Sequence, residues 1–532
     1  MRTRTLILAL GLSAAALPAS AQEARQPQLP MSAIDWLDGS DSNAPSVLRP
    51  SPLRNPQPFG VPLDEPPVAS SVQSPEVESA PLGQPTAEAV GLLPMSVTGL
   101  PRSLWRNSEV EILAELIERV DPAVPALSAL LFTLLLAEAD APIGSGEGAP
   151  LLAARLDRLI EEGAVDPGLA LIERAGGATS PDLFARWFDL ALLADSPDAP
   201  CRVLQRQPQL SDDLAARVFC DARNGRWDHA VTVLGTADAL DQISDRDAEL
   251  LIRFVEPELV DESNPVPPPA QPTPLQFRLF EAVGETLPTQ PLPRAFAAAD
   301  LSGTSGWRAQ LLAAERLAAH GALSANRLLG LYSERRPAAS GGVWDRVAAV
   351  QALDSALTEG REDLIGPALI TAWGQMRSAG LLVPFSELFG ERLSTHQLDG
   401  RAGRLAQRAA LLSPGYESAA RALGDGASGR LNLAAAIAKG AAPEPLPESA
   451  FEAAVARAWD DPTPPAELAR RLQQGKLGEV ILRSMALFET GAAGNHQDLT
   501  EALATLRAVG LEDTARRAAI ELLILEDEGA LR

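Results

Sequence analysis

The side chains that could do chemistry are few. The four histidines, His229, His320, His396 and His496, fall in no His-x-x-x-His spacing, and the two cysteines make no Cys-x-x-Cys, so no metal site is readable. Gly424-Asp425-Gly426-Ala427-Ser428-Gly429 has the spacing of a dinucleotide loop. Such a loop works after a strand in a βαβ unit, and this one follows a helical stretch, Glu417 to Leu423. Nothing here specifies a catalytic constellation or a cofactor. Cys201 and Cys220 form an even pair; in an oxidising compartment they are a disulfide candidate, with two buried free thiols as the alternative. An unstrained bridge over that short loop would contribute roughly 3 kcal/mol. The last group suits recognition. Tyr332, Arg335, Arg336 and Trp344 surround a small-residue loop, and Arg and aromatic side chains dominate binding hot spots. Arg335 and Arg336 would equally complement a helix C-terminus.

The start of the chain sets the compartment. Met1-Arg2-Thr3-Arg4 is a basic start, Leu6 to Leu17 a short apolar core, and Ala19-Ser20-Ala21 a small-residue cleavage site. This is the layout of a cleavable secretory signal, so residues 1–21 are expected to direct export to the periplasm. The arginines are not adjacent, as a twin-arginine signal requires, and no Cys marks a lipid anchor. The next most apolar run, Val124 to Ala137, has the length of a core helix. No membrane-spanning segment is therefore expected after cleavage.

The formal net charge is −25, and loss of Arg2 and Arg4 with the signal takes it to −27. So acidic a protein repels phosphate backbones, which excludes nucleic acid as a partner. The basic side chains are nearly all arginine; Lys439 and Lys476 are the only lysines.

Hydrophobic spacing gives the organisation. Residues 22–107 read as a disordered Pro-rich segment, because the prolines recurring from Ala44 to Pro101 forbid a helical ladder. Two apolar islands interrupt it. Met31 to Leu37, with Ile34, Trp36 and Leu37, has the character of a partner-docking segment; Leu92 to Trp105 abuts the folded part. From Ser108 the period becomes 3.6, opened by an expected capping box, Ser108-Glu109-Val110-Glu111. Helices of 8–15 residues then follow one another across 108–262 and 275–532. The Pro-rich run 263–274 separates the two stretches as a linker, or crosses the surface between them. Period-2 runs are nearly absent. The fold class is all-α: stacked antiparallel helix pairs, α-solenoid-like, behind the Pro-rich leader.

Asn224-Gly225-Arg226-Trp227-Asp228-His229-Ala230 resembles the entry to the second helix of tetratricopeptide-type repeats, with Gly, an aromatic, then Ala three residues on. Gly342-Val343-Trp344-Asp345 echoes it, and Leu506 to Arg516 repeats the helix–Gly–helix rhythm. The two Trp sites lie 117 residues apart, not a multiple of the 34-residue repeat, so the resemblance implies a degenerate solenoid. The chain also resembles exported helical proteins of α-proteobacteria, some labelled antifreeze glycopeptide proteins; the Ala-Ala-Thr repeat behind that label is missing. Glu448-Ser449-Ala450-Phe451 looks like the motif carrying the catalytic Glu of lytic transglycosylases, some of which have helical superhelical bodies. The Gly-Leu-Met-Gln segment of those enzymes is absent. The expected function is that of a non-catalytic periplasmic scaffold binding protein partners of the cell envelope. A machine such as the flagellar motor would suit it, although no residue selects it. The alternative is a peptidoglycan-acting enzyme or glycan binder.

Overall fold

The computed structural model describes residues 86–146, 148–177, 180–259, 265–302, 305–423, 429–443, 445–460 and 462–531. The expected signal at 1–21, the expected leader up to residue 85 with its Ile34-Trp36-Leu37 island, and Gly424 to Ser428 lie outside the described residues. Among the described residues regular structure is helical, with two isolated backbone bridges and no strand.

The order begins with a single turn, α1 (Met95–Thr98), then α2 (Val110–Arg119), α3 (Pro125–Leu136), α4 (Pro150–Glu161), α5 (Val165–Arg174) and α6 (Pro181–Leu193). Next come α7 (Asp198–Arg206), α8 (Leu214–Arg223), α9 (Trp227–Ala239), α10 (Asp245–Val255), α11 (Pro274–Ala282), α12 (Ala297–Asp300), α13 (Trp307–Ala318) and α14 (Ala325–Ser333). The longer helices follow: α15 (Val343–Thr358), α16 (Glu362–Ser378), α17 (Leu382–Ser394) and α18 (Gly400–Leu411). The chain closes with α19 (Tyr416–Leu423), α20 (Arg430–Ala438), α21 (Ala450–Asp460), α22 (Ala466–Gln473), α23 (Leu477–Ala492), α24 (His496–Ala508) and α25 (Glu512–Asp527).

Local chemistry sets the boundaries. Ser180 accepts the Leu183 amide ahead of Pro181, and Asp213 accepts the amides of Ala215 and Ala216. Thr273 and Gln276 form a reciprocal capping box that starts α11. Gly225, at φ 77°, ends α8 in the left-handed conformation that costs glycine little. Neighbours such as α8 and α9, α15 and α16, α17 and α18, and α23 and α24 pack directly across short turns, so they run antiparallel. The apolar faces meet in one continuous core.

Three expectations need correction. The capping box at Ser108 does not form: α2 starts after Glu109 without a side-chain cap, and the Ser108 hydroxyl is buried without a partner. Residues 86–107 belong to the folded body and not to a disordered leader. Leu104 and Trp105 are fully buried, the amides of Leu92 and Leu93 donate to the Leu136 carbonyl, and Glu88 accepts the amides of Leu151 and Leu152. The Pro-rich run 263–274 does not divide the body either. Val266 and Pro272 are buried, α10 packs directly on α11, and the described residues form one compact unit.

The stack also closes on itself. α3 packs on α25 and α2 on α23. Asn107 donates to the Gln474 carbonyl at 3.2 Å, and the Ala126 amide donates to Glu521 at 2.7 Å. Trp105 lies on Gly478, where a Cβ would come within 2.3 Å of the ring, so only glycine permits that approach. An open solenoid needs polar capping repeats at its ends; here the first helices cover the last.

Cys201 on α7 and Cys220 on α8 are buried and bridged, with Cα atoms 4.8 Å apart. The bond closes a short loop and restricts the unfolded chain. Reduction is expected to lower stability by roughly 3 kcal/mol. Thermal melts with and without a phosphine reductant measure this, and coincident melts would refute it.

Candidate functional site

The residues singled out for recognition do not share a surface. Tyr332 ends α14 inside the core, and its hydroxyl donates to Glu315 at 2.7 Å. Burial, and then the Glu315 charge, push its phenol well above the ordinary range. Arg346 clamps the same carboxylate through both Nε and Nη2. Trp344 is half-buried, its ring 5.2 Å from that of Trp307. Trp307 donates in turn to the Leu331 carbonyl. Only Arg335 and Arg336 are exposed. The expected Tyr332–Trp344 docking face is therefore mostly a packing device: its aromatic members hold α13, α14 and α15 together.

The other candidates are dispersed. Glu448 is exposed just before α21. His229 is hydrogen-bonded to Asp221 at 2.6 Å, His396 to Glu362 at 2.8 Å, and His496 lies against Phe451. Among the described residues no group of three His, Cys, Asp or Glu side chains could hold a metal ion.

The closure of the stack creates a feature that no local pattern announces. Three clefts share wall residues in succession. The first, about 540 Å³, lies against α13 and is lined by Glu315, Arg316, Arg346 and His320. The second, about 350 Å³, shares Ala319 and His320 with it. It is walled by the α2–α3 turn, Arg294, the α16–α17 turn and the C-terminal ends of α23 and α25. The third, also about 350 Å³, shares Pro125 and Val383 with the second and runs along α3 between α17 and α25. Elements from the beginning, middle and end of the chain thus build one trough. No family model, curated protein or solved structure matches this chain.

The trough changes character along its length. The α13 end carries Arg316, Arg346 and, just beyond, Arg294. The α25 end carries Glu387, Asp513 and Glu521 together with Arg517. Alanine, leucine, valine and proline line the space between the charges. Such walls can accept an extended chain with mixed polar and apolar side chains. The sequence holds one signal for the trough: small or apolar residues at helix ends, such as Ala319, Ala492 and Ala493, where caps and charges are usual.

Proposed function

We propose that the chain is a non-catalytic scaffold or adaptor of the bacterial cell envelope, a degenerate tetratricopeptide-like helical body that holds partner proteins in its trough. In this reading residues 1–21 send the chain to the periplasm, and the leader ahead of residue 86 tethers a docking segment at Ile34, Trp36 and Leu37. The observation that carries the reading is the run of three clefts with shared walls, built by non-neighbouring helices. Clefts of this size with few convergent polar groups are where partners and ligands settle. The net charge of −25 argues against nucleic acid. No helix of the described residues is long and apolar enough to cross a membrane.

Ala493 is exposed and lines the middle of the trough. A tryptophan there fills the space without disturbing the core. Affinity purification from native periplasm is expected to recover specific partners with the natural chain. Ala493→Trp should lose them while melting at an unchanged temperature. Equal recovery by the two proteins would sink the proposal.

A further inference from the structure

Arginine is this protein's structural cation, and where it leaves solvent it takes a carboxylate with it. Arg158 pairs with Glu162, Arg253 with Glu249 and Glu285, Arg278 with Glu281, and Arg408 with Glu528. Among the described residues two arginines withdrawn from solvent lack any carboxylate in ion-pair contact, Arg155 and Arg316. Arg155 is fully buried, and each of its nitrogens donates to a backbone carbonyl. Arg316 differs. It is half-buried and lines the cavity against α13. It donates to the carbonyls of Thr289 at 3.2 Å and Leu292 at 2.6 Å. A guanidinium has further N–H groups in the same plane, and these remain unengaged.

Two further arginines lie close by. Arg346 lines the same cavity, and Arg294 lies close enough for its charge to act on Arg316. Burial, and then that neighbour, hold the Arg316 guanidinium below its ordinary range: the site disfavours a cation that lacks a counter-ion. Glu315, the one carboxylate in the cavity wall, is already held by Arg346 and Tyr332. Arg294 shares Glu162 with Arg158, so of the three arginines here Arg316 is the one with no carboxylate in contact. In a chain of net charge −25 an uncompensated cation inside a cavity is an exception.

We propose that the cavity against α13 is an acceptor site for a carboxylate side chain of an extended polypeptide, received by Arg316 with Arg346 and Arg294 at its edges. A planar guanidinium with in-plane donors recognises a carboxylate bidentately. This deepens the scaffold reading and rests on it.

The test uses the purified chain and two labelled, capped peptides, one alternating alanine with glutamate and its counterpart with glutamine. Fluorescence anisotropy is expected to show the glutamate peptide binding at least about tenfold more tightly, a difference of about 1.4 kcal/mol. The preference should shrink as salt is added. Arg316→Gln, which keeps a donor for one carbonyl, should reduce glutamate-peptide affinity to that of the glutamine peptide. Equal binding of both peptides to the natural chain would overturn the assignment, whatever the variant's stability. So would full affinity in a folded Arg316→Gln. Either failure, with partner capture still lost in Ala493→Trp, would leave the scaffold reading standing and remove only the carboxylate site.

Discussion

Arg155→Met is expected to lower the stability of the body by about 3–5 kcal/mol, the cost of stranding buried polar partners. The side chain has no exposed surface. Its Nε donates to the Leu135 carbonyl at 2.6 Å, Nη1 to the Val90 carbonyl at 2.8 Å, and Nη2 to the Ala137 carbonyl at 3.3 Å. Two of those carbonyls lie at the C-terminal end of α3, where no further helical turn supplies amides. The third belongs to the segment that lies over it. Burial draws the guanidinium down to about 10, partly opposed by the charge of Glu88, so it remains protonated at neutral pH. Methionine matches the volume and supplies no donor. It leaves three carbonyls unsatisfied and Glu88 without its nearest cation. In a body this large the loss should appear as a melting-temperature drop on the order of 5 °C. Proteolysis near residue 86 should accelerate more than the global change requires, because the segment over Arg155 opens first. Arg155→Lys separates charge from geometry. An ammonium cannot reach three carbonyls in a fork, so most of the loss should persist. A lysine variant as stable as the natural chain would refute the fork argument.

That arginine also shows what is legible in the sequence and what is not. α4 can be read from Leu152, Leu156, Leu159 and Ile160 at helical spacing, and the structure places it at Pro150–Glu161. Arg155 sits among those residues as one more polar position, and its burial depends on segments far away in the chain. α8 starts and stops where Asp213 and Gly225 indicate. α17 carries Pro384 and Gly390, residue types that ordinarily interrupt a helical pattern. Pro384 lies in the first turn, where a missing amide costs nothing. Gly390 lies where a Cβ would meet the Ala409 carbonyl oxygen at 2.4 Å, so glycine there permits close packing on α18. Ser108 misleads in the opposite direction. Its type suits a cap, yet it is buried beside a different N-cap. Tyr332 and Trp344 look like recognition residues by type alone, and a buried carboxylate at Glu315 turns the tyrosine inward. Beyond the small residues at a few helix ends, the trough is not legible in the sequence, because its walls come from segments far apart in the chain, such as α2 and α3 against α23 and α25. Local periodicity does not encode contacts between opposite ends of a chain.

The same closure makes a pH dependence that one side chain should dominate. Glu521 of α25 is buried and accepts the Ala126 amide at the start of α3, so it links the last helix to one of the first. Burial pushes its carboxyl up to about 8; the amide and Arg517 oppose the rise, and Glu387 adds to it. Asp513 lines the same cavity from the preceding part of α25, paired with Arg517. In the unfolded chain the carboxyl titrates near its ordinary value of 4.5. Between that value and about 8 the folded state holds a proton that the unfolded state has released. By linkage, stability from this group is complete below the lower value and declines as pH rises through the upper one. A tenfold difference in proton affinity between the two states is worth about 1.36 kcal/mol, so the decline is on the order of 3–5 kcal/mol. Glu521→Gln retains a carbonyl oxygen for the Ala126 amide and removes the titration. Chemical denaturation near pH 5 should find variant and natural chain nearly equal. At pH 9 the variant should be more stable by about 3 kcal/mol, the two curves diverging across the neutral range. Parallel curves would mean that Glu521 is ionised in the folded protein at neutral pH and that the seam between α25 and α3 is hydrated.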